Sequence, residues 1–353
     1  MIYIIAYCQN NLGDDLFVRM LVRRYPNEKF YLCASPQYTR IFRNEKNLRC
    51  ANLIEYTILR LFHKCFRQTG RICNYYIFKR AKAVVQIGGS IFIERVNWEK
   101  KFSIDKHQNL FLIGCNFGPF YSNEYFNRMR DKISSAADCC FRDKNSYNLF
   151  KDIPTVRYAP DVILGLSNLE TIPKNGDYVG VSVIDMSKHP DLRNFRETYE
   201  CGVAKICNRW IKRGKKVRIF CFCEAEGDVS AALRIMSMVD SSSALSIHTY
   251  QNGIDVFLEE LNSCEVLYAT RFHAMILGWK MRKRVVPIVY SIKQKNVIDD
   301  IGYTGIQWDI SQGKCYKEYL VNSIPDRIDD LVMKSLEQKA ADQFLALEHF
   351  LAE

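Results

Sequence analysis

Short apolar runs alternate with amphipathic stretches along this chain, and that alternation limits the fold more than any other feature. Ile2–Ile5, Phe30–Cys33, Ala83–Gln86, Leu110–Gly114 and Asp138–Phe141 are apolar and strand-length. Between them, Leu16–Arg24, Ile54–Arg80 and Glu124–Ser135 carry helical patterning. Strands that are apolar on both faces and separated by helices form a parallel sheet covered by helices. The pattern then restarts. Strands are predicted at Tyr178–Val183, Lys216–Cys223, Ala244–Ile247, Val266–Ala269 and Val285–Val289, with helices at Glu197–Arg213, Glu226–Val239, Ile254–Asn262 and Phe272–Met281. The expected class is α/β, with two Rossmann-like domains of parallel sheet facing a central cleft. A chain of 353 residues is too long for one ordinary core, which agrees with two domains. The polar stretch between Gly165 and Gly176 sets the boundary near residue 170, giving domains at 1–170 and 171–324. Pro325–Leu351 reads as one long helix or a bent pair, so 325–353 is expected to pack back on a domain.

Charge narrows the partners. Fifty Lys and Arg against 39 Asp and Glu give a net charge of +11. Nucleic acid, anionic membrane and phosphate-bearing ligands are the matching classes. No helix-turn-helix, RRM, zinc-finger or RGG pattern accompanies the charge, so nucleic acid is set aside. The cations are uneven: no acid occurs between Glu55 and Glu94, while Arg60, Lys64, Arg67, Arg71, Lys79, Arg80 and Lys82 interleave with Leu59, Leu61, Phe62, Phe66, Tyr75 and Tyr76. Such a segment can lie on anionic lipid, or it can turn its aromatics into the first domain. No apolar run approaches the roughly 20 residues of a membrane span. The N-terminus lacks a basic start and a long apolar stretch, so a cytoplasmic location is expected, with peripheral attachment at the inner membrane face. Fourteen cysteines at irregular spacing, none in a CxxC pair, suggest buried reduced thiols, with no disulfide framework and no zinc site.

In open α/β sheets, ligands sit beyond the carboxyl ends of the strands. The residues just after each strand are therefore the candidates. Asn11-Leu12-Gly13-Asp14 follows the first strand; it fits a helix cap or a close backbone approach. Gly88-Gly89 follows the third predicted strand, as a tight turn or an anion-binding pair of N–H groups. Asn116-Phe117-Gly118-Pro119 is a further strand-end turn, and Arg142 follows Phe141, pairing with Asp143 or pointing to a ligand. Asp161 is a cap or a base. The densest group is Thr270-Arg271-Phe272-His273. With Thr270 as cap, a guanidinium, an imidazole and helix N–H groups converge where a phosphate or carboxylate could bind. Lys293 follows the next strand, as a site cation or a solvated loop lysine.

Taken in order, Asn11-Leu12-Gly13-Asp14, Gly88-Gly89, Gly118-Pro119, Arg142-Asp143…Ser146, Pro160-Asp161, Arg271-Phe272-His273-Ala274 and Pro287…Tyr290…Lys293 resemble the polysaccharide pyruvyl transferases. The resemblance implies a GT-B-like architecture. It implies transfer of pyruvyl from phosphoenolpyruvate, as co-substrate, onto two hydroxyls of a sugar, forming a ketal and releasing phosphate. It further implies a role in capsule or exopolysaccharide synthesis, with the donor on the second domain and the acceptor on the first. Arg271 and His273 match the family's donor-binding pair. On this reading His273 is the acid, Arg271, Arg142 and Lys293 hold the donor's anions, and Asp14 or Asp161 is the base. Gly88, Gly89, Asn11 and Gly118 complete the substrate-binding set. No metal or bound cofactor is needed. A galactose-type residue on a lipid carrier is the expected acceptor. Two other readings fit the same residues: a GT-B enzyme using a nucleotide sugar, and a non-catalytic, membrane-associated anion-binding protein.

Overall fold

The computed structural model describes residues 1–65, 72–101, 107–167, 178–251, 253–311, 315–323 and 327–353. The expected boundary near residue 170, the start of the terminal segment at Pro325, and Phe66, Arg67 and Arg71 of the basic stretch lie outside them. The chain divides into two compact units. One comprises Met1–Cys8, Asp14–Val162 and Lys339–Glu353; the other comprises Gln9–Gly13 and Ile163–Gln338.

The first unit is built on a seven-stranded, wholly parallel sheet. Its strands are β1 (Ile2–Ile5), β2 (Phe30–Leu32), β3 (Leu48–Cys50), β4 (Ala83–Ile87), β5 (Leu110–Cys115), β6 (Asp138–Phe141) and β7 (Val156–Tyr158), in the order β3-β2-β1-β4-β5-β6-β7. The strand order runs outward in both directions from β1 and β4, the doubly wound pattern whose crossovers put helices on both faces. That is why β1, β4 and β5 are predominantly apolar: Ile2, Val84, Val85 and Leu112 are fully buried. Each such side chain contributes about 1.5–3 kcal/mol by leaving water. β3 and β7 are edge strands of three residues, too short to leave a periodic signal.

The second unit repeats the plan with six parallel strands. These are β8 (Tyr178–Ser182), β9 (Lys216–Cys221), β10 (Leu245–Thr249), β11 (Cys264–Ala269), β12 (Arg284–Val289) and β13 (Trp308–Asp309), ordered β10-β9-β8-β11-β12-β13. Trp308 buries its ring between Tyr199 and Tyr316, which explains an edge strand of only two residues.

Two helical expectations change. Ile54–Arg80 is two helices, Leu53–Cys65 and Tyr75–Arg80; Asn74 caps the second by accepting from the Ile77 N–H at 3.2 Å. The terminal segment is the bent alternative: helix Asp330–Ala340, a tight turn through Phe344, then helix Leu345–Ala352. Its last part is pinned to the first sheet by Gln343, fully buried, which accepts from Gly114 N–H at 2.9 Å and donates to the Ala159 carbonyl at 2.7 Å. The seven cysteines assigned to strands and helices, Cys33, Cys115, Cys139, Cys140, Cys221, Cys223 and Cys264, are buried free thiols. Burial pushes Cys221 and Cys223 up to about 12, so they stay protonated and inert. Among the described residues no helix is long and apolar enough to cross a membrane.

Candidate functional site

The second unit gathers its chemistry at the carboxyl ends of β8, β9, β11 and β12. β11 runs into Thr270 and then the helix Phe272–Lys280. Thr270 is not the cap. Arg271 takes that position, and Thr270 Oγ1 is instead 3.0 Å from the Tyr199 hydroxyl. The reason lies in β8: Ser182 Oγ accepts from the N–H groups of both Thr270 and Arg271, at 3.0 and 3.1 Å, so a neighbouring strand does the work of a local cap.

Arg271 turns inward. Its Nε donates to Asp228 at 2.9 Å; its two terminal nitrogens reach Asp228 and Glu226. Asp228 is fully buried, whereas the Glu226 side chain is 28% exposed. Burial opposes charge on the guanidinium, but Asp228 and Glu226 outweigh it and hold Arg271 well above the ordinary arginine range. Asp228 also accepts from the N–H groups of Phe222 and Cys223, at 2.9 and 3.0 Å. Phe222 and Cys223 in turn receive the loop after β1: Leu12 N–H donates to the Phe222 carbonyl at 3.2 Å, and Asn11 bridges Cys223. Asn11 Oδ1 accepts from Gly13 N–H at 3.1 Å. One connected network therefore runs from Asn11 to Arg271.

His273 stands half-buried in the first turn of the helix, edge-on to Phe272, with ring centroids 5.3 Å apart. Gly13 is the residue beneath it: a β-carbon there would overlap the imidazole. Lys293, in the first turn of helix Ile292–Ile301 after β12, places its Nζ 5.8 Å from the Phe272 ring centroid. His189 joins this group. Its ring lies 5.8 Å from that of Tyr290, and its Nε2 is buried with no hydrogen-bond partner among the described residues. Burial lowers its pKa, and the charges of Arg271 and Lys293 lower it further against Glu226 and Asp185.

Sequence reasoning passed over His189, Ser182, Glu226 and Asp228. The two acids fell inside a predicted helix starting at Glu226, where first-turn acids look like dipole partners. The helix starts at Asp228, after a turn, which frees both carboxylates for Arg271. His189 follows β8 in a segment of 3₁₀ turns that leaves no periodic signal. It lies beyond the turn Met186–Lys188, farther from its strand than the residues read after the other strands.

The first unit holds the remaining candidates, again at strand ends. Arg142, after β6, donates to Asp161 at 2.8 Å and to Asn116 Oδ1 at 2.9 Å. Both members of the ion pair are buried, the side chains 1% and 0% exposed. Gly89 lies against the guanidinium, which a β-carbon would overlap. Asp143 has a capping role of its own. It caps helix Lys144–Phe150, taking the Ser146 N–H and hydroxyl at 2.8 Å each, and Ser146 Oγ accepts from Phe117 N–H at 2.8 Å. Asp14 adjoins Gly88, where a β-carbon would stand 3.4 Å from a carboxylate oxygen. Gly118, with φ 95° and a cis bond to Pro119, donates its N–H to the Phe92 carbonyl at 2.7 Å. The candidates thus form two sets: Asn11, Arg271, His273 and Lys293 in the second unit, and Asp14, Gly88, Gly89, Gly118, Arg142 and Asp161 in the first. Among the described residues no group of three or more His, Cys, Asp or Glu could hold a metal ion.

Solved structures share this architecture at low identity. The UDP-GlcNAc 2-epimerase of Methanocaldococcus jannaschii, in complex with UDP-GlcNAc and UDP, aligns with TM-score 0.58 at 11% identity, covering 98% of this chain and 99% of that one. Anabaena Alr3699/HepE, in complex with UDP and glucose, aligns with TM-score 0.54 at 9% identity, over 100% and 99%. The UDP-GlcNAc 2-epimerase of Neisseria meningitidis, bound to UDP-GlcNAc, also aligns with TM-score 0.54 at 9%, over 100% and 99%. These likenesses show the fold, a GT-B-like pair of Rossmann-type units. No curated protein matches in sequence. The model for polysaccharide pyruvyl transferases matches residues 11–292, which takes in every strand-end residue described above from Asn11 to Tyr290. With that span matched, the chain belongs to the polysaccharide pyruvyl transferase family.

Proposed function

We propose that this protein transfers pyruvyl from phosphoenolpyruvate to two hydroxyls of a sugar, giving a cyclic ketal and free phosphate. What carries the reading is the pairing of His273 with Gly13, at the head of the helix after β11, inside a family match that begins at residue 11. The reaction needs a proton on C3 of the enol, an oxocarbenium-like C2, and loss of a proton from each attacking hydroxyl. The first hydroxyl bonds to C2, phosphate departs with the C2–O bond, and the second hydroxyl closes the ring. His273 supplies the proton and holds the phosphate; a positioned acid is worth about 10²–10⁴-fold. Lys293 and the edge of the Arg271 guanidinium meet the donor's anions.

The Arg271 network refines its role. Three of its five N–H donors serve Asp228 and Glu226. Asp228 is a fixed anchor, but Glu226 is partly exposed and occupies a place an anionic group of the donor would take. Donor binding then exchanges one carboxylate for another. In the first unit, Asp161 is bound to Arg142, which also positions Asn116 and the turn at Gly89, and Asp14 is taken as the base. The acceptor is a galactose-type sugar carried on a lipid, within capsule or exopolysaccharide synthesis.

Nucleotide-sugar glycosyl transfer is the second reading, favoured by the UDP-bound structures that share the fold. Incubation with phosphoenolpyruvate or UDP-glucose and a panel of β-galactosides separates the two. Phosphate release with a product that gains one carboxylate supports pyruvyl transfer; gain of a whole ring supports the alternative.

A further inference from the structure

We infer that the helix Leu53–Cys65 is a docking surface for anionic phospholipid. The helix carries apolar side chains on both its inner and its outer face. Its inner face holds Glu55, Tyr56, Leu59 and His63, all half-buried, with Tyr56 and Leu59 against the core of the first unit. Glu55, the helix's one acid, is tied inward: it accepts from the Tyr31 hydroxyl at 2.6 Å, from Asn74 Nδ2 at 2.8 Å and from Arg49 at 2.8 Å. At 100° per residue, Ile54, Ile58 and Leu61 form the outermost stripe, with Phe62 beside it. These four side chains are 73%, 48%, 56% and 59% exposed. No residue of the helix is fully buried. A surface helix ordinarily turns polar residues outward, and the outward apolar stripe departs from that. A continuous outward apolar stripe marks a surface with a partner.

Charge selects the partner. Arg60 and Lys64 are exposed along one margin of the stripe, and no acid follows in the sequence until Glu94. The next helix adds Tyr75 and Tyr76, 44% and 66% exposed, with the Arg80 guanidinium 4.4 Å from the Tyr76 ring centroid. Apolar side chains entering the acyl boundary, with long cations and aromatic rings at headgroup level, are the components of an interfacial helix on an anionic membrane. The inference does not depend on the donor or acceptor proposed above, and its test uses no catalysis.

The test is flotation of the full chain with vesicles of phosphatidylcholine alone or mixed with phosphatidylglycerol. The expected result is flotation with the anionic vesicles only, reversed by salt. Arg60→Gln with Lys64→Gln should lower partitioning on the order of tenfold and flatten the salt response. Ile58→Ser with Leu61→Ser should abolish stable binding; circular dichroism should show both variants folded, since the changed side chains face outward. Absence of flotation with anionic vesicles, or unchanged flotation by both variants, overturns the inference. So does light scattering that shows a wild-type dimer and a monomeric Ile58→Ser/Leu61→Ser variant, because a second copy then covers the stripe.

Discussion

The imidazole of His273 fills the space that a side chain on residue 13 would need, so Gly13 and His273 are one steric unit although 260 positions separate them. Gly13→Ala should therefore act as a His273 mutation. The expected result is a loss of turnover approaching the ~10²–10⁴-fold expected for His273→Ala, with little change in unfolding midpoint for His273→Ala. Steady-state kinetics beside thermal denaturation check this. Gly13→Ala with wild-type turnover would place the chemistry elsewhere.

Much of this was legible in the sequence. β1, β4, β5 and β11 are buried on both faces, so their composition alone marks them. His273 and Arg271 stood out because they follow a strand directly. What stayed hidden depends on contacts between distant segments. Gly13 reads as a helix start until His273 is placed on it. Asp161 reads as a cap until Arg142, 19 residues earlier, reaches it. The outward stripe of Leu53–Cys65 has ordinary amphipathic spacing; which face is turned in is set by Glu55 bonding Tyr31 and Asn74.

Glu226 and Asp228 should separate cleanly. Glu226→Gln removes a partly exposed carboxylate that competes with the donor, so KM for phosphoenolpyruvate should fall while the fold is kept. Asp228→Asn leaves the Arg271 charge buried with weaker compensation and should cost about 3–5 kcal/mol of stability. Chemical denaturation and donor titration read the two effects. A rise in KM for Glu226→Gln would show that it holds substrate instead.

The Arg142–Asp161 pair tests its own role. Asp161→Ala alone strands a buried guanidinium and should destabilise by about 3–5 kcal/mol; Arg142→Met with Asp161→Leu should cost much less, because both charges leave together. Equal losses in the single and double variants, measured by urea unfolding, would mean that Arg142 contributes through something other than this pair.

His189 should make the protein acid-sensitive. Burial and the nearby Arg271 and Lys293 charges depress its folded pKa, with Glu226 and Asp185 opposing. The unfolded chain therefore takes up a proton at higher pH than the folded one. The stability from neutral His189 is complete above the ordinary histidine range and is lost as pH falls through that range towards the folded pKa. His189→Gln should lose less stability than the wild type between neutral and mildly acidic pH. Identical pH profiles of unfolding would remove this residue from the account.

The most direct measurement is a single incubation of wild-type protein and His273→Ala with phosphoenolpyruvate and a β-galactoside panel, following inorganic phosphate and product mass together. Wild-type protein should yield equal amounts of phosphate and a pyruvate-ketal sugar, and the variant should lose nearly all of both. A variant that matches the wild type, or a wild type that is inert with phosphoenolpyruvate yet extends the acceptor from UDP-glucose, would contradict the proposed chemistry.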